Sequence, residues 1–340
     1  MPPKPLITHI YTADPSAHVF NNRLYIYPSH DRDCDVPSND NGDQYDMADY
    51  HVFSLASLSS RPGNPEQEIE VTDHGPVLST ADVPWASKQL WAPDAAERNG
   101  KFYLVFPARD AAGLFRIGVA VGERPVGPFV ACERFLEGSY SIDPAVFVDD
   151  ADGEAYVYFG GLWGGQLQCW VKADGDGDGG DGGWVYNENG KEPSGAGVPA
   201  LFPRVARLSG DMLSFASPVL EVRILDEAGS PIAADDHARR FFEAAWMHQY
   251  NGRYYFSYST GDTHYLVYAV GDSPLGPFTY RGRILEPVLG WTTHHSIVQF
   301  EGRWWLFYHD CEISQGVSHL RNVKVREIAY DEEGSIYLVD

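Results

Sequence analysis

The sequence predicts an all-β protein, a five-bladed β-propeller, and three observations predict it. A short aromatic strand opened by a small turn occurs five times: Asn22-Arg-Leu-Tyr-Ile-Tyr, Gly100-Lys-Phe-Tyr-Leu-Val-Phe, Gly153-Glu-Ala-Tyr-Val-Tyr-Phe, Gly252-Arg-Tyr-Tyr-Phe-Ser-Tyr and Gly302-Arg-Trp-Trp-Leu-Phe-Tyr. The copies lie roughly 50 to 100 residues apart, room for a four-stranded blade plus variable loops. A second echo, Val119-Ala-Val-Gly-Glu-Arg-Pro-Val-Gly-Pro-Phe against Tyr268-Ala-Val-Gly-Asp-Ser-Pro-Leu-Gly-Pro-Phe, repeats a strand, a proline turn and the opening of the next strand. No long stretch of 3.6-residue periodicity competes with these signals.

Each blade is marked in turn. The first holds the Asn22 phrase and His51-Val-Phe-Ser-Leu, with a polar insert at about 32–48. The second holds the Gly100 phrase and Ile117-Gly-Val-Ala-Val, and the third the Gly153 phrase. The third is followed by a Gly/Asp-rich segment at about 173–198. There Asp174, Asp176 and Asp178-Gly179 mimic the start of a calcium loop. Val185 stands where the bidentate Glu is required, so a surface loop is expected. The fourth blade holds the Gly252 phrase and Leu266-Val-Tyr-Ala-Val, the fifth the Gly302 phrase and Ser296-Ile-Val-Gln-Phe. Residues 1–340 read as one domain.

Composition narrows the function. A hydrophobic content of 44%, with 14% aromatics, supports a sizeable core, and 34 Gly and 23 Pro suit a turn-dense β fold. The net charge of −23 repels phosphate backbones and anionic lipid, so neither nucleic acid nor membrane is an expected partner. A neutral ligand is indifferent to that field, and a homo-oligomer is compatible with it. The N-terminal residues lack an apolar signal core, and the four scattered cysteines match no zinc spacing. Free thiols and a cytoplasmic location are the expectation.

The chemistry is carried by one polar residue a short way before each phrase: Asp14, Asp94, Asp143, Glu243 and His294. Asp14 and Asp143 each precede a proline, and two Asp-Pro steps at equivalent points of two repeats are more than ordinary turns. Glu243 lies in Phe-Phe-Glu-Ala-Ala-Trp-Met, where burial favours the protonated form that a general acid needs. Two carboxyls of opposed character suit glycosidic bond cleavage, and a third nearby would raise the pKa of the acid. His294 among carboxylates could border a divalent cation held mostly by water. Trp91, Trp163 and Trp246 are candidate sugar platforms, each equally readable as core. Arg321 would sit where the last strand returns to the hub.

These motifs resemble glycoside hydrolase family 43, five-bladed propellers acting on xylan and arabinan side chains and oligosaccharides, over nearly the whole chain. Ala13-Asp-Pro-Ser resembles the general-base motif, implying that Asp14 activates water. Trp91-Ala-Pro-Asp matches the second-blade signature, and Ile142-Asp-Pro implies that Asp143 tunes and orients the acid. Glu243 falls at the general acid, followed by Ala244-Ala245 where many members have Gly-Pro. Thr293-His-His-Ser resembles the Gly-His-x-Ser segment that places a histidine beside a central calcium ion, so His294 is the implied neighbour of Ca²⁺. Tyr27-Pro-Ser-His-Asp, with His30 and Asp31 as implied substrate contacts, and Tyr45-Asp-Met-Ala-Asp-Tyr-His-Val-Phe-Ser are similar to a cytoplasmic-type branch of β-xylosidases. The resemblance implies an inverting exo-glycosidase removing terminal β-1,4-xylose from xylo-oligosaccharides. An α-L-arabinofuranosidase on arabinoxylan fragments is the nearest alternative, and a non-catalytic sugar-binding propeller the alternative from another class.

Overall fold

The computed structural model describes residues 3–58, 69–173, 183–291 and 293–339. Among the described residues, five sheets of four or five mostly antiparallel strands follow one another along the chain, with one separate two-stranded ribbon. Their first strands are Tyr11–Phe20, Asp94–Arg98, Ala145–Val148, Glu243–Tyr250 and His295–Phe300. Each touches the next, and the fifth touches the first, so the five form a closed hub.

The five phrases are the second strands: Arg23–Asp31, Lys101–Asp110, Ala155–Phe159, Arg253–Ser259 and Arg303–Asp310. Most of their residues are buried whichever face they occupy. A strand covered on both faces by neighbouring blades must be apolar throughout, which accounts for the unbroken aromatic runs. The hairpin turns explain the small residues ahead of four phrases. Asn21-Asn22, Asn99-Gly100, Asn251-Gly252 and Glu301-Gly302 all take positive φ at both central positions, the type I′ geometry that matches strand twist. The Gly-Pro-Phe echo is structural as well, since Gly127-Pro128 and Gly276-Pro277 are both cis.

Packing between blades closes the ring. Ile7, Leu24, Ile26 and Phe53 of the first blade region share a core with Phe300, Trp305, Phe307 and Val323 of the fifth. Ahead of the first blade, the Leu6 N–H donates to the Val323 carbonyl at 2.8 Å.

Two segments differ from the expected plan. Ile224–Leu225 leaves the third blade and pairs parallel with Phe278–Leu285, giving the fourth blade an extra edge strand. The Gly/Asp-rich segment is not wholly a loop, because Trp184–Tyr186 pairs with Trp170–Lys172 as a hairpin. Asp174, Asp176 and Asp178 of the calcium-loop mimic lie outside the described residues. The four cysteines are free thiols.

Candidate active site

The five polar residues all lie at the start of a first strand, just ahead of it, or at a break within it, so they gather at one end of the hub. Asp14 sits in a bulge where the register shifts between Ala13 and Ser16, with φ 50°. Asp143, with φ 55°, stands one residue, Pro144, ahead of the third hub strand. Glu243 opens the fourth, and a bulge follows it, with Ala244 at φ 63°. Bulges re-aim side chains that a regular pleat would alternate, and strained backbone concentrates at functional sites.

The Asp14 carboxylate is buried and surrounded by donors. Arg321 Nη1 donates to its Oδ1 at 3.0 Å and the Ser29 hydroxyl donates to Oδ2. His309 Nδ1 lies 3.3 Å from Oδ1 and accepts the Asp14 N–H at 3.0 Å. Burial alone would raise this carboxyl. The positive charge of Arg321 and the nearby imidazoles outweigh burial and hold it at about 2. Arg321 is fixed in turn by Asp31, whose two oxygens accept from Nε at 2.8 Å and Nη2 at 2.7 Å. Asp31 thus supports Arg321 and does not line the cavity.

Asp143 has the opposite character. Burial first, then the negative charges of Glu243 and Asp14, push its carboxyl well above the usual range. The Ala244 N–H, turned inward by the bulge, donates to Asp143 Oδ2 at 2.8 Å. Asp143 therefore keeps its proton in the range where Asp14 has lost its own. His294 stands between the two sides, its Nδ1 3.8 Å from Asp14 Oδ1 and 3.7 Å from Asp143 Oδ2. Burial lowers its pKa against the pull of Asp14, so the ring is neutral near neutral pH.

Above these groups opens a cavity of about 620 Å³, lined by Asp14, Asp143, Glu243, His294 and Arg321 at its base and by Trp91, Trp163 and Trp291 among its walls. Residues 32–48, read from sequence as a polar insert, form one of those walls through Ser38, Asn39, Asp40, Gly42, Gln44, Tyr45 and Met47. Tyr45 lies 5.0 Å beneath the Arg321 guanidinium. Gly42 is required where this wall meets Trp91: its φ is +72°, and a Cβ would lie 2.5 Å from the indole.

The sequence model described as Glycosyl hydrolases family 43 matches residues 70–175. Over 333 residues the chain is 69% identical to a xylosidase/arabinosidase of Humicola insolens, with 98% of each sequence covered. The chain belongs to glycoside hydrolase family 43. It is also 53% identical to a β-xylosidase of Xylanibacter ruminicola, covering 97% of each. Among solved family 43 structures, a β-xylosidase/α-arabinofuranosidase from a compost microbial metagenome, in complex with xylotriose and in a calcium-free form, is 57% identical with a TM-score of 0.89. That alignment covers 99% of this chain and 97% of the other.

Within this family 43 enzyme, three further sequence candidates fall away from the cavity, as Asp31 does. Trp246 is buried at the hub, donating its indole N–H to the Ile297 carbonyl at 3.1 Å. His30 follows Ser29 in the strand and so faces away from Asp14, with Nδ1 2.6 Å from Asp49 Oδ1. Asp94 binds His18 and Ser16 of the first blade and the Val146 N–H of the third, joining three blades below the site. His309, Ser29 and Trp291 were not singled out by sequence. Ser29 and His309 do share a signal, each standing six residues after the arginine that opens its phrase strand, Arg23 or Arg303. Thr293, where the family's motif has glycine, bonds through Oγ1 to the His309 carbonyl at 2.7 Å and braces the His294 segment.

Proposed function

We propose that this family 43 enzyme is an inverting exo-glycosidase that removes terminal β-1,4-linked D-xylose from xylo-oligosaccharides. One observation carries the reading: one cavity holds an ionised carboxylate, Asp14, together with Glu243 and an Asp143 carboxyl that is pushed to keep its proton. In the reaction Asp14 takes a proton from water, whose oxygen bonds to the anomeric carbon. The glycosidic C–O bond breaks, and Glu243 gives its proton to the leaving oxygen. Asp143 keeps Glu243 protonated and holds the backbone after Glu243 in place. Trp91, Trp163 and Trp291 offer apolar faces to the sugar rings. The names of the relatives, xylosidase/arabinosidase and β-xylosidase, support the pentose. Those double names also favour α-L-arabinofuranoside hydrolysis as a second activity of the same pocket.

Proton NMR of a β-xyloside digest tests the proposal. α-Xylose should appear first; initial release of β-xylose would contradict inversion. A panel of nitrophenyl pentosides and natural oligosaccharides then ranks xylose against arabinose.

Asp143→Asn leaves Glu243 with no second ionisable carboxyl beside it. The acid then loses its proton more readily, so the alkaline limb of kcat/KM should move to lower pH. An alkaline limb that stays in place would remove Asp143 from this role.

A calcium-like cation fits the donors at the hub. His294 offers a neutral imidazole, and the surrounding carboxylates supply the balancing charge. His294 would hold the ion, other coordination positions falling to water, and the bound ion would supply positive charge beside Asp14 and Asp143. Added Ca²⁺ should raise the Tm of the wild type and leave that of His294→Ala unchanged. Equal shifts in both proteins would place the ion elsewhere.

A further inference from the structure

On the first blade, away from the cavity, a second group of ligating side chains converges. His30 is on the second strand, and Asp49 and His51 are on the third, Asp49–Leu55. One ligand atom from each lies within 4.8 Å of the others. His30 Nδ1 is 2.6 Å and His51 Nε2 3.8 Å from the same oxygen, Asp49 Oδ1. The rings meet edge to face with centroids 4.9 Å apart. All three side chains are mostly buried, at 20%, 26% and 13% exposure, so their directions are set by packing.

The surroundings distinguish this group from an ordinary hydrogen-bonded trio. His51 Nδ1 lies 3.1 Å from Asp73 Oδ1, a carboxylate also bound by the Gly75 N–H at 2.7 Å and by His9 Nε2 at 2.8 Å. A carboxylate that accepts from Nδ1–H keeps the ring proton on Nδ1 and leaves the Nε2 lone pair aimed at Asp49 and His30. This carboxylate–imidazole arrangement orients histidines that bind metal. Arg32, whose charge reaches Asp49, is engaged by Asp46 through Nη2 at 2.8 Å.

We propose that His30, Asp49 and His51 form a binding site for a borderline divalent cation of the Zn²⁺ type, with Asp73 orienting His51. Two imidazoles and one carboxylate are a donor set suited to zinc, and small adjustments would bring the three atoms around one ion. Binding replaces the hydrogen bond between His30 and Asp49. The location gives the site a task. Residues 32–48 leave the blade beside His30 and rejoin it at Asp49, so the ion would clip together the two ends of the cavity wall.

The test is calorimetric titration of untagged, metal-free protein with ZnCl₂, paired with thermal denaturation. Wild type and His294→Ala should both bind one equivalent at this site and gain Tm. His51→Gln should lose the binding, and Asp73→Asn, which keeps all three ligands, should bind about 10- to 100-fold more weakly. Unchanged zinc affinity in both His51→Gln and Asp73→Asn overturns the proposal. So does loss of binding in His294→Ala with retention in His51→Gln, which would put the ion at the hub. No binding by the wild type overturns it outright.

Discussion

Glu243→Gln is expected to cut turnover of xylobiose by about 100- to 10,000-fold, the usual contribution of a positioned acid or base. Gln is nearly the same size and still polar, so the fold around the cavity should be retained. The loss should shrink sharply on a nitrophenyl xyloside, whose leaving group departs without protonation. Asp14→Asn should cost a similar factor on both substrates, because the attacking water needs its base whatever the leaving group. The contrast between the two substrates is the decisive measurement. Equal losses for Glu243→Gln on both would remove it from the acid role, and near-wild-type rates in either variant would end the assignment.

Arg321→Met should be the most destabilising single change at the site. It leaves Asp14 and Asp31 buried without their cation, and breaking a buried ion pair in this way costs about 3–5 kcal/mol. It should also move the pH profile. With Arg321 present, the folded carboxyl of Asp14 lies at about 2 against 3.8 in the unfolded chain. That depressed group contributes stability that is complete above the unfolded value and is lost as pH falls through 3.8 toward 2. Without the guanidinium, burial dominates and the carboxyl climbs. The acid limb of kcat/KM should then rise in pH, and the loss of stability that Asp14 contributes between 3.8 and about 2 should disappear. Arg321→Lys keeps the charge but not the fork, and should fall between wild type and Arg321→Met on both measurements. An acid limb that does not move in Arg321→Met would show that Asp14 is tuned by something else.

The blade count was legible because the phrase strands are buried on both faces, so their apolar runs survive in the sequence as repeats. The five polar residues were legible because they interrupt apolar stretches at matching points. What the sequence could not show was depth. Asp94 follows the same pattern as Asp143, yet its carboxylate turns down to bind His18 and Ser16. Trp246 and Trp163 are equally aromatic, but only Trp163 reaches the cavity. His30 was placed on the wrong side because neighbouring strand residues point to opposite faces: Ser29 meets Asp14, so His30 cannot. The insert hid its function by composition, since Tyr45 and Met47 are two large side chains in a polar run. His309 stands at the end of an aromatic phrase, and only pairing across the closed ring brings it to Asp14.

That closure has a practical consequence for how the protein's assembly can be followed. Asp14 belongs to the first blade, while His294, His309 and Arg321 all come from the fifth, nearly 300 positions along the chain. Four blades alone would carry both Asp14 and Glu243, yet the carboxylate would lack the cation that keeps it charged. Hydrolysis on renaturation from denaturant should therefore lag behind the recovery of β-structure and begin only when the last blade docks. Sugar release is then a clock for the most non-local event in the fold, timed by the side chains that do the chemistry.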